Sequence, residues 1–120
     1  MAFEDIKLQA VPMGRDLAIL ITGGAAHIGA TSTAYWSGEK IEVITSAVPG
    51  HKEHVLTAGM AHQAAQELRR TVTVIMGIHY DHLSKAEIVE VSARTDAIFR
   101  DYLSTCSEYE GQADGRRIER

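Results

Sequence analysis

Two histidines each lie two residues from a glycine, in segments whose composition is typical of strands. His27 and Gly29 occur in AHIGA, and Gly77 and His79 occur in GIHYD. Alternate side chains of a strand share a face, so each histidine is expected on the same face as its glycine. Glycine has no side chain to pack, and within a strand it indicates a bulge or the close approach of another group. If the two faces coincide, the residues predict a shallow floor between two imidazoles on which a flat ligand could lie.

The segment Pro49–His54, PGHKEH, precedes the first predicted helix. The first amides of a helix have no internal partner, and the helix dipole favours negative charge there. Gly50 lets the backbone come close and Lys52 adds a cation, so the segment predicts an anion or phosphate site. Glu53 is expected either to favour the helix start or to orient Lys52 or a histidine. The alternative is an ordinary helix start with an exposed Lys–Glu pair.

Three histidines, His27, His51 and His79, fall at turns or at the ends of elements. Three imidazoles and a water form a known kind of catalytic zinc site. However, no pair of them has a local ligand spacing such as HExxH. A small histidine- or metal-dependent enzyme is therefore the alternative to a binding protein.

The pair Gly23-Gly24 stands between two strand-like runs. It lacks the GxxxxGK[ST] pattern of a P-loop and the spacing of GxGxxG, and no helix follows it. We therefore predict a hairpin turn here rather than a phosphate loop.

The elements that must position these residues follow from hydrophobic periodicity. Four strands are predicted, joined by connections of hairpin length, at residues 3–11, 16–22, 28–36 and 40–48. Such short connections predict an antiparallel meander.

The second half of the sequence changes period. Apolar residues recur every four positions after Gly50, in the order Leu56, Met60, Ala64 and Leu68, which predicts a helix. Residues 71–79 predict a fifth strand. Ser84–Glu87 has the form of a capping box before a second helix.

The predicted fold is therefore α+β: a mostly antiparallel five-stranded sheet with two helices on one face, in the order ββββαβα. Residues 1–106 are expected to form a single domain and residues 107–120 a mobile tail. The face without helices is then either solvated, buried in an oligomer or used for a ligand.

Composition narrows the function classes. The chain has 120 residues, 45% of them apolar, and a net charge of −4 without a basic block, which argues against nucleic acid. No apolar run approaches the roughly 20 residues of a membrane span. The single cysteine, Cys106, fits a reducing cytoplasm. A small molecule or another protein is the expected partner.

Three motifs in series, AHIGA at 26–30, PGHKE at 49–53 and GIHYD at 77–81, resemble the LpdD-type small subunits. That family accompanies UbiD-type decarboxylases of aromatic acids, and its members act as chaperones for prenylated FMN. The resemblance covers about residues 15–105.

The resemblance implies a cytoplasmic, homo-oligomeric and non-catalytic protein that binds prenylated FMN, or FMN itself. The cofactor would come from a flavin prenyltransferase and be protected for, or delivered to, the decarboxylase. A subunit that contacts the decarboxylase without any ligand is a further alternative. No metal-ligating residues are predicted, and the resemblance points to these cofactor-binding residues: His27, Gly29, Pro49, Gly50, His51, Lys52, Glu53, Gly77 and His79.

Overall fold

Five strands and two helices follow one another in the predicted order, ββββαβα. The computed structural model describes residues 2–50 and 54–112, with side chains described for 2–50 and 56–106. The strands are β1 (Lys7–Met13), β2 (Asp16–Gly24), β3 (Ala30–Ser37), β4 (Lys40–Ala47) and β5 (Val72–His79). The helices are α1 (His54–Leu68) and α2 (Lys85–Gln112).

The centre of the sheet is occupied by β5, which corrects the predicted meander. The strand order is β1-β2-β5-β3-β4. The β1–β2 and β3–β4 hairpins are antiparallel as predicted, but β5 lies between β2 and β3. It pairs parallel with β2 and antiparallel with β3. One face of β5 carries Val72, Val74, Met76 and Ile78, so a central position covers this apolar face and leaves the more exposed β1 and β4 at the edges.

One face of the sheet packs against the helices and forms the core. Ile19 of β2 and the β5 residues Val74 and Met76 are fully buried there. On the helices, Ala64 of the apolar stripe predicted for α1 and Phe99 of α2 are also fully buried. Burial of this contiguous apolar surface is the main contribution to the stability of the fold.

The other face carries no helix, and its side chains are half-buried on the central strands and exposed on the edge strands. Leu20, Ile75, Thr33 and Thr73 alternate with the core residues of their strands. The Oγ1 atoms of Thr33 and Thr73 lie 2.7 Å apart in a cross-strand hydrogen bond between β3 and β5.

The start of α2 is the predicted capping box. The amide of Glu87 donates to the Ser84 hydroxyl at 3.1 Å, and the amide of Ser84 donates to the Glu87 carboxylate at 3.0 Å. The helix continues to Gln112, within the segment predicted as a tail, and residues 113–120 lie outside the described residues. None of the described helices is both long enough and apolar enough to span a bilayer.

Candidate functional site

The carboxyl ends of β2 and β5 meet at one end of the sheet because these two strands are parallel. The loop 25–29 and the turn at 49–50 lie at the same end, because Gly29 pairs with Met76 of β5 and with Val48 after β4. We call this the site end. The two tight hairpins, at 14–15 and 38–39, lie at the opposite end, which we call the hairpin end. In open sheets with parallel strands, ligands bind outside the carboxyl ends.

A cleft of about 420 Å³ opens at the site end between α1, α2 and β5. Met76, Ile78 and His79 of β5 contribute to its floor, and Tyr80 follows them. Met76 and Ile78 both pack in or against the core, so the cleft lies on the helix-covered side of the sheet. The sequence instead favours the opposite face for a ligand, with solvation or burial in an oligomer as the alternatives.

The remaining walls of the cleft are mostly apolar. They are formed by Gly50, Leu56, Leu83, Ile88, Val91, Ser92 and Thr95. A volume of this size, with apolar walls and a few polar groups, falls in the usual range for small-molecule sites. Ile88 is 54% exposed, which is explained by its position at the opening of the cleft.

His27 and His79 come together at the site end. Their ring centroids are 6.3 Å apart and the rings meet edge to face at 78°. His27 Nδ1 donates to the carbonyl of Ala25 at 3.0 Å, and this bond requires the proton on Nδ1 because a carbonyl only accepts. His79 Nε2 lies 2.9 Å from Asp81 Oδ1, and the His79 side chain is 53% exposed. His79 is therefore the more accessible of the two imidazoles and lines the cleft.

The space next to Gly77, where a flat ligand was predicted to lie, is occupied by another part of the chain. A Cβ atom at Gly77 would lie 1.6 Å from the carbonyl oxygen of His27 and 2.4 Å from its carbonyl carbon. The loop 25–29 therefore crosses directly over Gly77. The glycine allows two backbone segments to touch, and it leaves no floor for a flat ligand at that position.

Gly29 connects three strands through its backbone. Its amide donates to the carbonyl of Met76 at 2.9 Å, and its carbonyl accepts from the amide of Val48 at 2.9 Å. The strand predicted from residue 28 therefore begins later, at Ala30, and the preceding loop carries His27 across β5.

Gly23-Gly24 is not a hairpin turn, contrary to the sequence prediction. Both glycines end β2 and pair with Ile78 and His79 of β5. Gly24 has φ of +63°, and a Cβ there would lie 2.1 Å from the carbonyl oxygen of His79 and 2.9 Å from two ring carbons of Tyr80. The pair is explained by the Tyr80 ring and the β5 backbone, which approach β2 too closely for a side chain.

The contact between Asp5 and Tyr80 was not predicted from the sequence. One Asp5 carboxylate oxygen accepts from the Tyr80 hydroxyl at 2.5 Å, and the other accepts from the Gly24 amide at 2.7 Å. Burial first, and the Asp5 hydrogen bond second, raise the pKa of Tyr80 to about 12. The same hydrogen bond from Tyr80, followed by that from Gly24, lowers the pKa of Asp5. No local motif predicts this contact, because 75 positions separate the two residues.

The start of α1 is fixed to the sheet by buried hydroxyls. Ser32 Oγ of β3 is hydrogen-bonded to Thr45 Oγ1 of β4 at 2.7 Å and to Thr57 Oγ1 of α1 at 2.8 Å. Ser32 and Thr57 are both fully buried. This chain of hydroxyls anchors the first turns of α1 at a set position on the sheet.

The predicted phosphate segment leads into that anchored helix. Gly50 has φ of +88° and lines the cleft, and a Cβ there would meet no atom within 4 Å. The predicted contacts of His51, Lys52 and Glu53 lie outside the described residues. Of the predicted site residues, Gly50 and His79 line the cleft, whereas His27, Gly29 and Gly77 build the backbone next to it.

The zinc alternative required three histidines. Within residues 2–50 and 54–112, no three His, Cys, Asp or Glu residues are arranged to hold a metal ion. His51, one of the three proposed ligands, lies outside these residues.

Two comparisons with known proteins identify the family of this chain. Residues 2–107 match the family model described as the prenylated flavin chaperone LpdD-like domain. The chain is also 30% identical over 113 residues to Protein LpdD of Lactiplantibacillus plantarum, covering 90% of this chain and 83% of that protein. The match spans every strand, α1 and most of α2, and it includes all three motifs that suggested the resemblance. The chain therefore belongs to the LpdD-like family of prenylated flavin chaperones.

Proposed function

We propose that this chain binds prenylated FMN without transforming it and delivers it to a UbiD-type aromatic acid decarboxylase. Membership of a prenylated flavin chaperone family is the observation that carries the proposal. The cleft at the site end supports it, since its volume of about 420 Å³ and apolar walls suit a flat ring system with a phosphate-bearing arm.

The ring system is proposed to enter the cleft between α1 and α2. Prenylation adds a further apolar ring to the isoalloxazine, and Ile78, Leu56 and Val91 offer apolar surface to it. The alternative position over Gly77 is disfavoured because the His27 carbonyl occupies it. His79 then contacts the ligand, while His27, Gly29 and Gly77 support His79 from behind.

The phosphate is proposed to bind at Pro49–Glu53, before the anchored start of α1. Gly50 lies on the cleft wall, so a phosphate at the helix amides would be within reach of a ring in the cleft. Lys52 is the cation expected to assist it, and Ser32 and Thr57 hold the helix start in place.

A cleft-filling variant tests the binding site. Ser92 is exposed and lines the cleft, whereas its neighbour Ala93 is exposed and is not among the cleft-lining residues. Ser92→Trp should place an indole in the cleft and weaken prenylated FMN binding at least tenfold, and Ala93→Trp should leave it near the wild-type value. The measurement is anaerobic titration with prenylated FMN, followed by flavin absorbance. Equal affinities for the two variants would exclude the cleft.

The phosphate segment is tested separately with Lys52→Ala. Loss of a charge-assisted contact should weaken FMN and prenylated FMN binding by about 1.5–3 kcal/mol, roughly 10- to 150-fold. Binding of riboflavin, which has no phosphate, should change little. Lys40→Ala at the hairpin end is the matched control. An unchanged FMN affinity would remove Lys52 from the site.

Delivery is tested by mixing the loaded chain with a UbiD-type decarboxylase that lacks its cofactor. Transfer should raise decarboxylase activity as flavin leaves this chain, and it should exceed the gain from the same amount of free prenylated FMN in air. A chain that retains its flavin, or that gives no advantage over free cofactor, would contradict delivery. We further propose that the protein is cytoplasmic and homo-oligomeric and that its cofactor comes from a flavin prenyltransferase. Light scattering of the purified chain tests its oligomeric state.

A further inference from the structure

We propose that Asp5 is a positioning residue for the ligand site, because its carboxylate holds the Tyr80 ring in place as an aromatic wall of the cleft. This inference rests on the proposed flavin site for its ligand. The contact between Asp5 and Tyr80 is independent of any ligand and can be measured without one.

Both oxygens of the Asp5 carboxylate are engaged at the site end. One accepts from the Tyr80 hydroxyl at 2.5 Å and the other from the Gly24 amide at 2.7 Å. Asp5 therefore links Tyr80, which follows β5, to Gly24, which ends β2. Hydrogen bonds to an ionised carboxylate are stronger than those between neutral groups, so this link resists local opening of the two strand ends.

The Tyr80 ring is confined on other sides as well. Its edge meets the Phe3 ring with centroids 4.8 Å apart and an interplanar angle of 65°. Its ring carbons lie 2.9 Å from the position that a Cβ of Gly24 would take, and its hydroxyl lies 3.0 Å from that of Gly23. The two glycines thus provide the space that the ring occupies, and Asp5 fixes the ring within it.

The segment that carries Asp5 is itself attached to the body of the protein. Ile6 is 2% exposed and belongs to the hydrophobic core. Arg94 of α2 donates through Nε to the carbonyl of Phe3 at 2.9 Å. Residues 3–6 therefore form a strap that joins the end of β2 and the residue after β5 to α2.

This geometry decides what Tyr80 offers to a ligand. Its hydroxyl proton is donated to Asp5, which leaves the aromatic ring as the part of this cleft-lining side chain for a ligand to contact. Aromatic rings pair favourably with flat conjugated ligands in offset or edge-to-face arrangements. We therefore infer that Tyr80 contacts the flavin ring and that Asp5 acts through Tyr80.

The first test needs no flavin. Phenolate absorbance is titrated with pH in the wild type and in Tyr80→Phe. The difference between the two curves isolates Tyr80, whose pKa is raised to about 12. Removing the Asp5 charge should shift this titration in Asp5→Asn toward the ordinary value of about 10. Burial and the Arg94 charge remain in the variant, so any shift reports Asp5. An unchanged Tyr80 titration would show that the contact is not made in solution.

The second test measures anaerobic binding of prenylated FMN. Asp5→Asn and Tyr80→Phe both keep the ring but lose the charge-assisted hydrogen bond, so each should weaken binding about fivefold to tenfold, whereas Tyr80→Leu, which also loses the ring, should weaken it by more than tenfold. The decisive variant combines Asp5→Asn with Tyr80→Leu. If Asp5 acts through Tyr80, the double variant should bind no worse than Tyr80→Leu alone. Asp101→Asn on the exposed part of α2 is the matched control.

The outcomes separate this inference from the proposed function. Failure of the wild type to bind flavin would overturn both. Normal wild-type binding with an unaffected Asp5→Asn variant would overturn the positioning role alone, and so would fully additive losses in the double variant. Circular dichroism of each variant identifies a loss caused by unfolding, and Tyr80→Phe, the most conservative change, keeps the test available if Asp5→Asn unfolds.

Discussion

Glycines occur at both ends of the sheet, but they serve different purposes there. At the hairpin end, Gly14 and Gly38 have φ of +64° and +65°, and a Cβ at either position would meet no atom within 4 Å. At the site end, Gly24 and Gly77 would place a Cβ 2.1 Å and 1.6 Å from a backbone oxygen. Gly14 and Gly38 are therefore needed for backbone conformation, whereas Gly24 and Gly77 are needed because chain segments pack against each other there. The comparison teaches that the site is constructed from close backbone contacts around β5.

The largest effect is expected from Gly77→Ala. The new methyl group would overlap the His27 carbonyl, and neither β5 in the sheet centre nor the loop 25–29 can move away cheaply. We expect a loss of about 3 kcal/mol in the free energy of unfolding, measured by urea denaturation. Flavin binding should also weaken, because the displaced loop carries His27 away from His79.

Gly59→Ala is the matched control for this substitution. Gly59 lies inside α1, and a Cβ there would meet no atom within 4 Å. Alanine is the better helix former, so this variant should gain up to about 1 kcal/mol. A loss at Gly77 no greater than the change at Gly59 would contradict the close contact over β5.

The second effect in size is expected from Gly24→Ala. Its φ of +63° disfavours alanine, and the His79 carbonyl and the Tyr80 ring also oppose the methyl group. We expect a loss of about 2 kcal/mol, smaller than at Gly77 because Gly24 is exposed at the end of its strand and can shift. Gly23→Ala should cost about 1 kcal/mol, because the nearest atom is a side-chain carbon of Ile6. Urea denaturation of both variants measures the difference, and a larger loss at Gly23 would reverse the interpretation.

Much of the fold could be predicted because it follows from the local periodicity of apolar residues. The helix stripes, the hairpins that pair β1 with β2 and β3 with β4, and the capping box at Ser84 all depend on residues close in sequence. The insertion of β5 between β2 and β3 depends on pairing between distant segments, and no local pattern specifies it. Short connections favoured a meander, but the five residues 25–29 suffice to cross β5.

The site was predicted less completely, for a related reason. The sequence predicted His27 and His79 at one site, and their rings do lie 6.3 Å apart, but His27 reaches this position from the loop before β3 and not from a strand face. A glycine in a strand, however, gives the same local signal whether a ligand or another part of the chain fills the space. Only the structure shows that His79 and Tyr80 occupy the space next to Gly24 and that His27 occupies the space next to Gly77.

The smallest effects are expected at the hairpin end, and they complete the comparison. Gly14→Ala and Gly38→Ala should each cost about 1 kcal/mol, since the only penalty is a left-handed conformation that alanine disfavours. Flavin affinity should be unchanged in both, because the cleft lies at the far end of the sheet. Asparagine tolerates this conformation better than alanine, so Gly38→Asn should recover part of the loss. At Gly24 asparagine should recover little, because the His79 carbonyl opposes any Cβ; equal recovery at Gly24 and Gly38 would show that conformation alone requires glycine at both ends.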